Sequence, residues 1–571
     1  MSERDEAVSG AAPGTMSGGA LLVACLRAHG ARRAFCVPGE SYLEVIDAFH
    51  DHPDLDVVVC RQEGGAAMMA EAHGKLTGEP GICFVTRGPG ATNASAGVHV
   101  ASQDSTPMIL FVGQVARGQM EREAFQELDY RQVFGSMVKW AAQIDEAERI
   151  PEFIGRAFAV ATAGRPGPVV LALPEDMLRD MVTPPADLGA HAHRRADAYP
   201  GPDAMDRLRA MLAEAERPLV IVGGSGWTEE ARSDFQRFIE ANGLPVAASF
   251  RRQDLFDNGH PNYAGDVGVG VNPALARRVR ECDLLISVGS RLSEMVTSGY
   301  SLVAIPRPAQ SFVHVHPDPE ELGRVYQADL PVNASLRAFA HAAAAMPPVE
   351  PRWADWTRQA RADYEAWQQP KATPGRVQMG EVMRQLNERL PDDAILTNGA
   401  GNYTVWPHRF HRHRRLGTQL APTSGSMGYG LPAAIAAKRE HPDRTVVAFA
   451  GDGCFQMTVQ ELGTAVQYGV NVLILVINNG IYGTIQMHQE RRHPGRARFT
   501  DLVNPDFAAL ARAYGAHGEL VEETAGFAPA LERALKAGKP ALIELRTDPE
   551  AITPNTTLTA LRETARAGGP R

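Results

Sequence analysis

No run of about 18 apolar residues occurs in the 571-residue chain, so no transmembrane helix is expected. Cationic excess is missing as well: 57 Lys and Arg stand against 67 Asp and Glu, a net charge of −10. With a pI near 6.0, that balance argues against a nucleic-acid or membrane-surface partner. An Arg-dense stretch, His408 to Arg415, is short and reads as a solvated face or a phosphate rim. Cysteine is scarce and unpatterned. The six residues (Cys25, Cys36, Cys60, Cys83, Cys282, Cys454) form no CxxC pair and no metal-like spacing, and several sit in apolar runs. That is the pattern of buried thiols in a cytoplasmic protein. The first 15 residues are small, polar and acidic with no apolar core, so they are not read as a signal peptide. Residues 1–16 are expected to form a disordered tail. What is present is a globular composition, 44% hydrophobic, at a length that suits three or four domains.

The most informative stretch runs from Thr445 to Gly483, TVVAFAGDGCFQMTVQELGTAVQYGVNVLILVINNGIYG. Val446 to Ala450 is an apolar run too short for a helix and bounded by Gly451-Asp452-Gly453, which predicts a buried parallel strand. Val459, Leu462, Ala465 and Val466 follow at a helix-like spacing. A second strand, Val472 to Ile477, ends at Asn478-Asn479. Ligands of a βαβ unit sit at the carboxyl ends of its strands, where Asp452 and Asn479 both fall. With the backbone carbonyl of Ile481 they supply hard oxygen ligands suited to Mg²⁺, which takes few protein ligands beside phosphate and water. Gly451 and Gly453 let the backbone approach a phosphate, and a following helix N-terminus favours its charge. GDG followed by NN at this spacing resembles the diphosphate motif of thiamine diphosphate (ThDP) enzymes.

The amino-terminal third alternates helix-like and strand-like segments. Ala20 to His29, Ser41 to Asp51 and Ala66 to Thr77 read as helices; Arg33 to Val37, Val57 to Cys60, Ile82 to Thr86 and Met108 to Val112 read as strands. Such alternation predicts a doubly wound parallel sheet. Glu63 stands between the strand Val57 to Cys60 and an Ala- and Met-rich helix. It reads either as a helix N-terminal charge or as the acid that thiamine chemistry needs. A carboxyl group at N1′ of the aminopyrimidine promotes the imino form, whose 4′-nitrogen takes the proton from thiazolium C2.

RQEGGAAMMAEAHGKLTG, GPGATNASAGVHVASQDSTPMILFVGQV and AFQELDY are similar to the pyrimidine-binding domain of the acetolactate synthase-like branch of ThDP enzymes. The resemblance covers roughly residues 18 to 560. It implies an α/β fold of three doubly wound parallel-sheet domains: pyrimidine-binding (17–185), central (203–345) and diphosphate-binding (376–560). Glu63 would be the cofactor-activating acid. Gly88 to Asn93 would form a loop near the pyrimidine, with Pro89 and Asn93 as contacts, and Gln114, Phe125 and Gln126 would line the substrate side. Thr183 to Asp203, rich in Pro, Ala and His, reads as a linker. Pro218 to Val222 followed by GGSG, with Val246 to Ser249, Asp283 to Val288 and Phe312 to Val315, reads as a second α/β domain. It lacks a complete GxGxxG and is read as a packing domain, although the family's central domain binds FAD in some members. Residues 346 to 375 form a polar connector. A helix from Val377 to Leu390 and a strand from Ala394 to Thr397 open the last domain. There Gly399 to Tyr403, including Gly401 and Asn402, would contact the diphosphate. In SGSMGYGLPAAIAA, Gly425 would offer its carbonyl to the 4′-amino group and Met427 would wedge beneath the bent cofactor. Cys454, Tyr482 and Gly483 complete the implied cofactor contacts.

Several positions depart from the synthase pattern. Where the synthase has PGGA this chain has Pro38-Gly39-Glu40-Ser41, and Glu40 adds a carboxylate placed like the acid of 2-oxo acid decarboxylases. It reads as a proton donor, as a group that repels an acidic second substrate, or as a helix cap beside Ser41. The Trp that selects the acceptor is His488. The Arg-bearing RFDDRVTG is Arg291-Leu292-Ser293-Glu294-Met295-Val296-Thr297, and the Lys of DLPKD is Glu175. Cys454 replaces the usual Ser after GDG. Groups that recognise a carboxylate-bearing acceptor are thus absent.

The expected function is ThDP- and Mg²⁺-dependent decarboxylation of a 2-oxo acid with carboligation to a carbonyl acceptor. Glu63, Glu40, Gln114 and His488 are the candidate catalytic residues. Non-oxidative decarboxylation releasing an aldehyde, a flavin-dependent oxidase, and an inactive ThDP-binding protein are the alternatives; loss of Glu63 or the metal ligands would mark the last, and all are present. The resemblance further implies a cytoplasmic homodimer or homotetramer with sites shared between subunits.

Overall fold

Uninterrupted apolar runs become parallel strands buried on both faces. The computed structural model of the chain describes residues 14–188 and 192–568. The chain divides into two units, residues 1–196 and 197–571.

The first unit contains β1 (Met16–Ser17), β2 (Arg33–Cys36), β3 (Asp56–Val59), β4 (Gly81–Val85), β5 (Met108–Gln114), β6 (Trp140–Gln143), β7 (Pro168–Pro174) and β8 (Met181–Val182). Six of them form a parallel sheet in the order β3-β2-β4-β5-β7-β6. Every residue of β4, β5 and β7 is buried, as helices on both faces require. Met16, expected in a disordered tail, pairs instead with Val182 across the antiparallel β1–β8 ribbon. Residues 1–13 of that tail lie outside the described residues.

Two helices give this unit its functional edge. Glu63–Thr77 starts at Glu63, three residues before the sequence suggested, because Gln62 caps it through Oε1 to the Gly65 N–H at 3.1 Å. The stretch Gly88 to Asn93, expected as a loop, is the opening of a second helix, Gly88–Asp104. Pro89 is tolerated there because first-turn N–H groups need no intrahelical partner. Small residues let the two helices touch: a Cβ on Gly97 would lie 2.5 Å from Ala67 Cβ.

In the second unit, β9 (Pro218–Val222), β10 (Val246–Ala248), β11 (Tyr263–Asp266), β12 (Leu284–Val288), β13 (Ser311–His316) and β14 (Leu330–Asn333) form one parallel sheet, ordered β11-β10-β9-β12-β13-β14. A second parallel sheet holds β15 (Ile395–Asn398), β16 (Gln419–Leu420), β17 (Val446–Gly451), β18 (Leu473–Asn478), β19 (His517–Val521) and β20 (Ala541–Arg546), ordered β16-β15-β17-β18-β20-β19. The chain is therefore an α/β protein with three six-stranded parallel sheets.

Two stretches are more ordered than their composition announces. The connector at 346–375 contains a helix, Ala354–Trp367, which docks through Trp356 Nε1 to the Pro218 carbonyl (3.0 Å) and Arg278 to Asp363 (2.7 Å). Nor is His408 to Arg415 a solvated face. His411 and His413 are buried, and the Arg409 guanidinium lies 3.8 Å over the Trp367 ring. His413 and Asn258 exchange bonds through backbone and side-chain atoms, which locks this stretch against the segment after β10. Among the described residues, no helix is long and apolar enough to cross a membrane.

Candidate active site

In the first unit the candidate residues lie at the carboxyl ends of parallel strands, where α/β sheets bind ligands. Glu63 follows β3. Its Oε2 accepts from Asn93 Nδ2 at 3.0 Å, which ties the acid to the opening of the Gly88–Asp104 helix. Gly90 faces the same carboxylate: a Cβ there would lie 3.5 Å from Glu63 Oε1 and 2.9 Å from Thr86 Cγ2. Pro89 and Asn93 are exposed beside it. Gln114, at the end of β5, is 1% exposed and commits its carboxamide to the backbone. Nε2 donates to the Leu128 carbonyl (2.9 Å) and Oε1 accepts from the Val115 N–H (2.9 Å). It braces the loop that carries Phe125 and Gln126, and does not itself line an open surface in this unit. Phe125, by contrast, is 72% exposed.

Glu40 is the first residue of a short 3-10 turn after β2, and the N-cap position, where a helix cap would sit, is taken by Gly39. The carboxylate instead pairs with Arg87, whose other terminal nitrogen reaches Glu175 at 3.2 Å. Sequence reasoning singled out Glu40 and Glu175 but missed Arg87, because the guanidinium meets them only once β2, β4 and β7 share a sheet.

In the second unit a cavity of about 240 Å³ opens at the carboxyl ends of β17 and β18. Gly401, Asn402, Tyr403, Gly425, Met427, Gly451, Asp452, Gly453, Cys454, Asn479, Ile481, Tyr482 and Gly483 all line it. Strand alternation sorts the two asparagines. Asn478 closes β18 and donates from Nδ2 to Glu544 at 2.8 Å, while Asn479 faces the cavity.

Asp452 is 3% exposed, and desolvation raises its carboxyl pKa above the usual range. Three donors meet it: the Gly453 N–H (2.9 Å), the Gly480 N–H (2.8 Å) and Asn504 Nδ2 (2.7 Å). Asn504 also donates to Asn478 Oδ1 at 2.9 Å. The sequence does not flag it, because it lies in a loop with no periodicity to mark it. Among the described residues no three His, Cys, Asp or Glu side chains gather as a metal cluster. The fitting cation is one that needs a single carboxylate with amide and carbonyl oxygens, which describes Mg²⁺.

The cavity's walls leave little room for side chains on its glycines. A Cβ at Gly453 would lie 2.5 Å from the Tyr482 ring, and one at Gly451 would lie 2.9 Å from the Tyr403 ring. The Tyr403 hydroxyl accepts from the Gly399 N–H (3.0 Å) and stands 3.2 Å from Cys454 Sγ. That sulfur in turn accepts from the Gly428 N–H at 3.2 Å. Cys454 thus ties the GDG turn to the segment that carries Met427. The helix that begins within GDG, Asp452–Gln456, is only five residues long. Backbone N–H groups, more than a helix dipole, are what it can offer a phosphate. His488 does not join the site in this unit. It lies exposed on the helix Gly483–Arg492, and desolvation with Arg491 and Arg492 lowers its pKa.

Three domain models of one family match the chain in order. The thiamine pyrophosphate enzyme N-terminal TPP binding domain matches residues 16–133, the central domain 205–343, and the C-terminal TPP binding domain 399–545. The large subunit of acetolactate synthase isozyme 2 from Escherichia coli (strain K12) is 32% identical over 537 residues, covering 93% of this chain and 96% of that protein. The chain belongs to the thiamine pyrophosphate enzyme family. A probable acetolactate synthase large subunit from Methanocaldococcus jannaschii is 30% identical, covering 94% of this chain and 93% of its own length. The acetolactate synthase large subunit of Corynebacterium glutamicum is 32% identical over 542 residues, covering 92% of this chain and 85% of its own length. This thiamine pyrophosphate enzyme therefore uses ThDP with a divalent metal ion, and the cavity at β17 and β18 lies within the match to the C-terminal TPP binding domain.

Proposed function

We propose that the chain decarboxylates a pyruvate-like 2-oxo acid and joins the remaining acyl carbon to a carbonyl acceptor, as an acetolactate synthase-like carboligase. The observation that carries this reading is the convergence of Asp452, Asn479 and Ile481 on one glycine-walled cavity at two strand ends. Bound ThDP supplies an electron sink for the pair left behind when carbon dioxide departs. The chain's residues do the rest. Asp452 Oδ, Asn479 Oδ1 and the Ile481 carbonyl would hold Mg²⁺. The main-chain N–H groups around Gly453 and the Gly401–Tyr403 turn would serve the diphosphate. Glu63, oriented by Asn93, would hold a proton at N1′ of the aminopyrimidine. The Gly425 carbonyl would accept from the 4′-amino group, and the Met427 side chain would support the cofactor. Gly425 has φ +70°, a conformation that glycine adopts without strain.

The reaction balances without an external oxidant. One carbon–carbon bond to the carboxylate breaks, one to the acceptor carbonyl forms, and the acceptor oxygen takes up a proton. FAD, left open for the central domain, has no chemical step to perform in this balance. The aldehyde-releasing alternative made Glu40 the proton donor, but its carboxylate is engaged by Arg87. A cytoplasmic homodimer or homotetramer with shared sites is the assembly we propose. Six buried cysteines, none of them in a disulfide among the described residues, suit a reducing compartment.

The test is product analysis with ThDP, Mg²⁺ and pyruvate, alongside an absorbance spectrum of the purified protein. Carbon dioxide release with a hydroxyketone or hydroxy-oxo acid product is expected, and the spectrum reads whether FAD is bound. Pyruvate turnover that yields acetaldehyde alone would replace carboligation with simple decarboxylation.

A further inference from the structure

The Arg87 cluster gives a physical setting to one reading of Glu40, a group that repels an acidic second substrate, and adds Arg87 and Glu175 to it. Its three members come from different strands of the first unit: Glu40 after β2, Arg87 after β4 and Glu175 after β7. Because β5 lies between β4 and β7, Arg87 spans the end of a strand to reach Glu175. Arg87 is 6% exposed, and its Nε is buried without a partner among the described residues. Both terminal nitrogens are engaged by carboxylates, yet Glu40 remains 68% exposed at its side chain. A surface ion pair placed only for stability would contribute little. Here a buried arginine is committed to holding an exposed acid in place, while one of its own donors stays unpaired.

The cluster adjoins Glu63. Gly39 and Gly90 both press on Thr86, where added Cβ atoms would lie 2.4 Å and 2.9 Å from its side chain, and Gly90 faces the Glu63 carboxylate. Ser41 Oγ and Thr86 Oγ1 bond at 2.9 Å, which fixes the Glu40 turn to the same spot. Two carboxylates and one guanidinium leave this rim with one net negative charge, so it disfavours a second anion.

We propose that Arg87 is a positioning residue that holds Glu40 and Glu175 as an acid-rich rim beside Glu63, selecting an uncharged aldehyde over a 2-oxo acid as the carboligation acceptor. The inference rests on the ThDP carboligase reading. The bond formed is the one already balanced above; only the acceptor's charge is newly specified.

The test supplies the holoenzyme with pyruvate as donor and benzaldehyde as competing acceptor at equal concentration. It measures carbon dioxide, acetolactate and the mixed hydroxyketone. The unaltered enzyme should give mainly the hydroxyketone. The double variant Glu40→Gln with Glu175→Gln should raise the acetolactate-to-hydroxyketone ratio at least tenfold, through a lower KM for the 2-oxo acid acceptor. Arg87→Gln, which releases both acids from their places, should raise the ratio as well, by a smaller factor. An unaltered enzyme that favours acetolactate, or a ratio unmoved in the double variant while carbon dioxide is still released, overturns the proposal. Absence of carbon dioxide release from the unaltered holoenzyme overturns the carboligase reading itself, and the acceptor proposal with it.

Discussion

Glu63 and Asn93 make the sharpest single-residue case. One oxygen of the carboxylate accepts from the Asn93 amide, so the acid is oriented by the next helix and is not simply a charge at the start of its own. A neutral amide of the same shape keeps the packing but cannot hold and return a proton at N1′. Glu63→Gln should therefore lower carbon dioxide release by about 10²–10⁴-fold, the usual range for a general acid–base group. Bound ThDP, measured by calorimetry, should stay within a fewfold of the parent. Turnover near the parent level would remove Glu63 from the mechanism.

At the scale of elements, the helices Glu63–Thr77 and Gly88–Asp104 approach closely enough that Gly97 sits against Ala67. Part of that contact is backbone: a Cβ would lie 2.6 Å from the Ala67 carbonyl carbon and 2.7 Å from the Met68 nitrogen. Gly97→Val gains little helix propensity from a β-branched side chain, and overpacking costs about 1–3 kcal/mol. The urea midpoint should fall accordingly, and the Glu63–Asn93 contact should loosen, seen as weaker ThDP binding. An unchanged midpoint would mean that the two helices separate freely. How legible an element was in the sequence follows the same physics. β4, β5, β17 and β18 are uninterrupted apolar runs, and their burial on two faces is written in their composition. β6, β16 and β19 are short, polar or half-exposed edge or near-edge strands, defined by the neighbours they pair with, and their composition does not announce them. The site divides likewise. Asp452 and Asn479 were readable because motif and strand ends coincide, whereas Asn504 and Arg87 reach their partners from segments with no local mark. His488 occupied a position flagged by resemblance, but its helix turns it outward.

Across the second unit, buried histidines set the response to acid. Desolvation lowers His413 from 6.5 to about 3 and His316 to about 4, and holds His408 and His411 well below the ordinary value. Between pH 6.5 and 3 the unfolded chain binds protons that the folded chain refuses, so stability rises with pH over that window and is lost on acidification. Buried carboxylates act in the opposite sense. Asp266, raised to about 7, binds a proton in the folded state that the unfolded chain releases, so its contribution falls as pH rises toward 7. Asp254 and Asp452 are raised as well. The histidines outnumber these acids, so the net slope should be acid-destabilising. His413 isolates one contribution, being 2% exposed with Nδ1 at 2.9 Å from Thr418 Oγ1. His413→Asn keeps a polar atom near Nδ1 and removes the titration. A tenfold change in proton affinity between the folded and unfolded chain is worth about 1.4 kcal/mol, and relaxation of the packing reduces the full effect. The variant should therefore recover on the order of 2 kcal/mol of the stability lost between pH 6.5 and 4. Urea midpoints of parent and variant across that range provide the measurement. Parallel curves would mean that His413 protonates in the folded chain, and that the contact between this stretch and Asn258 opens before the unit unfolds.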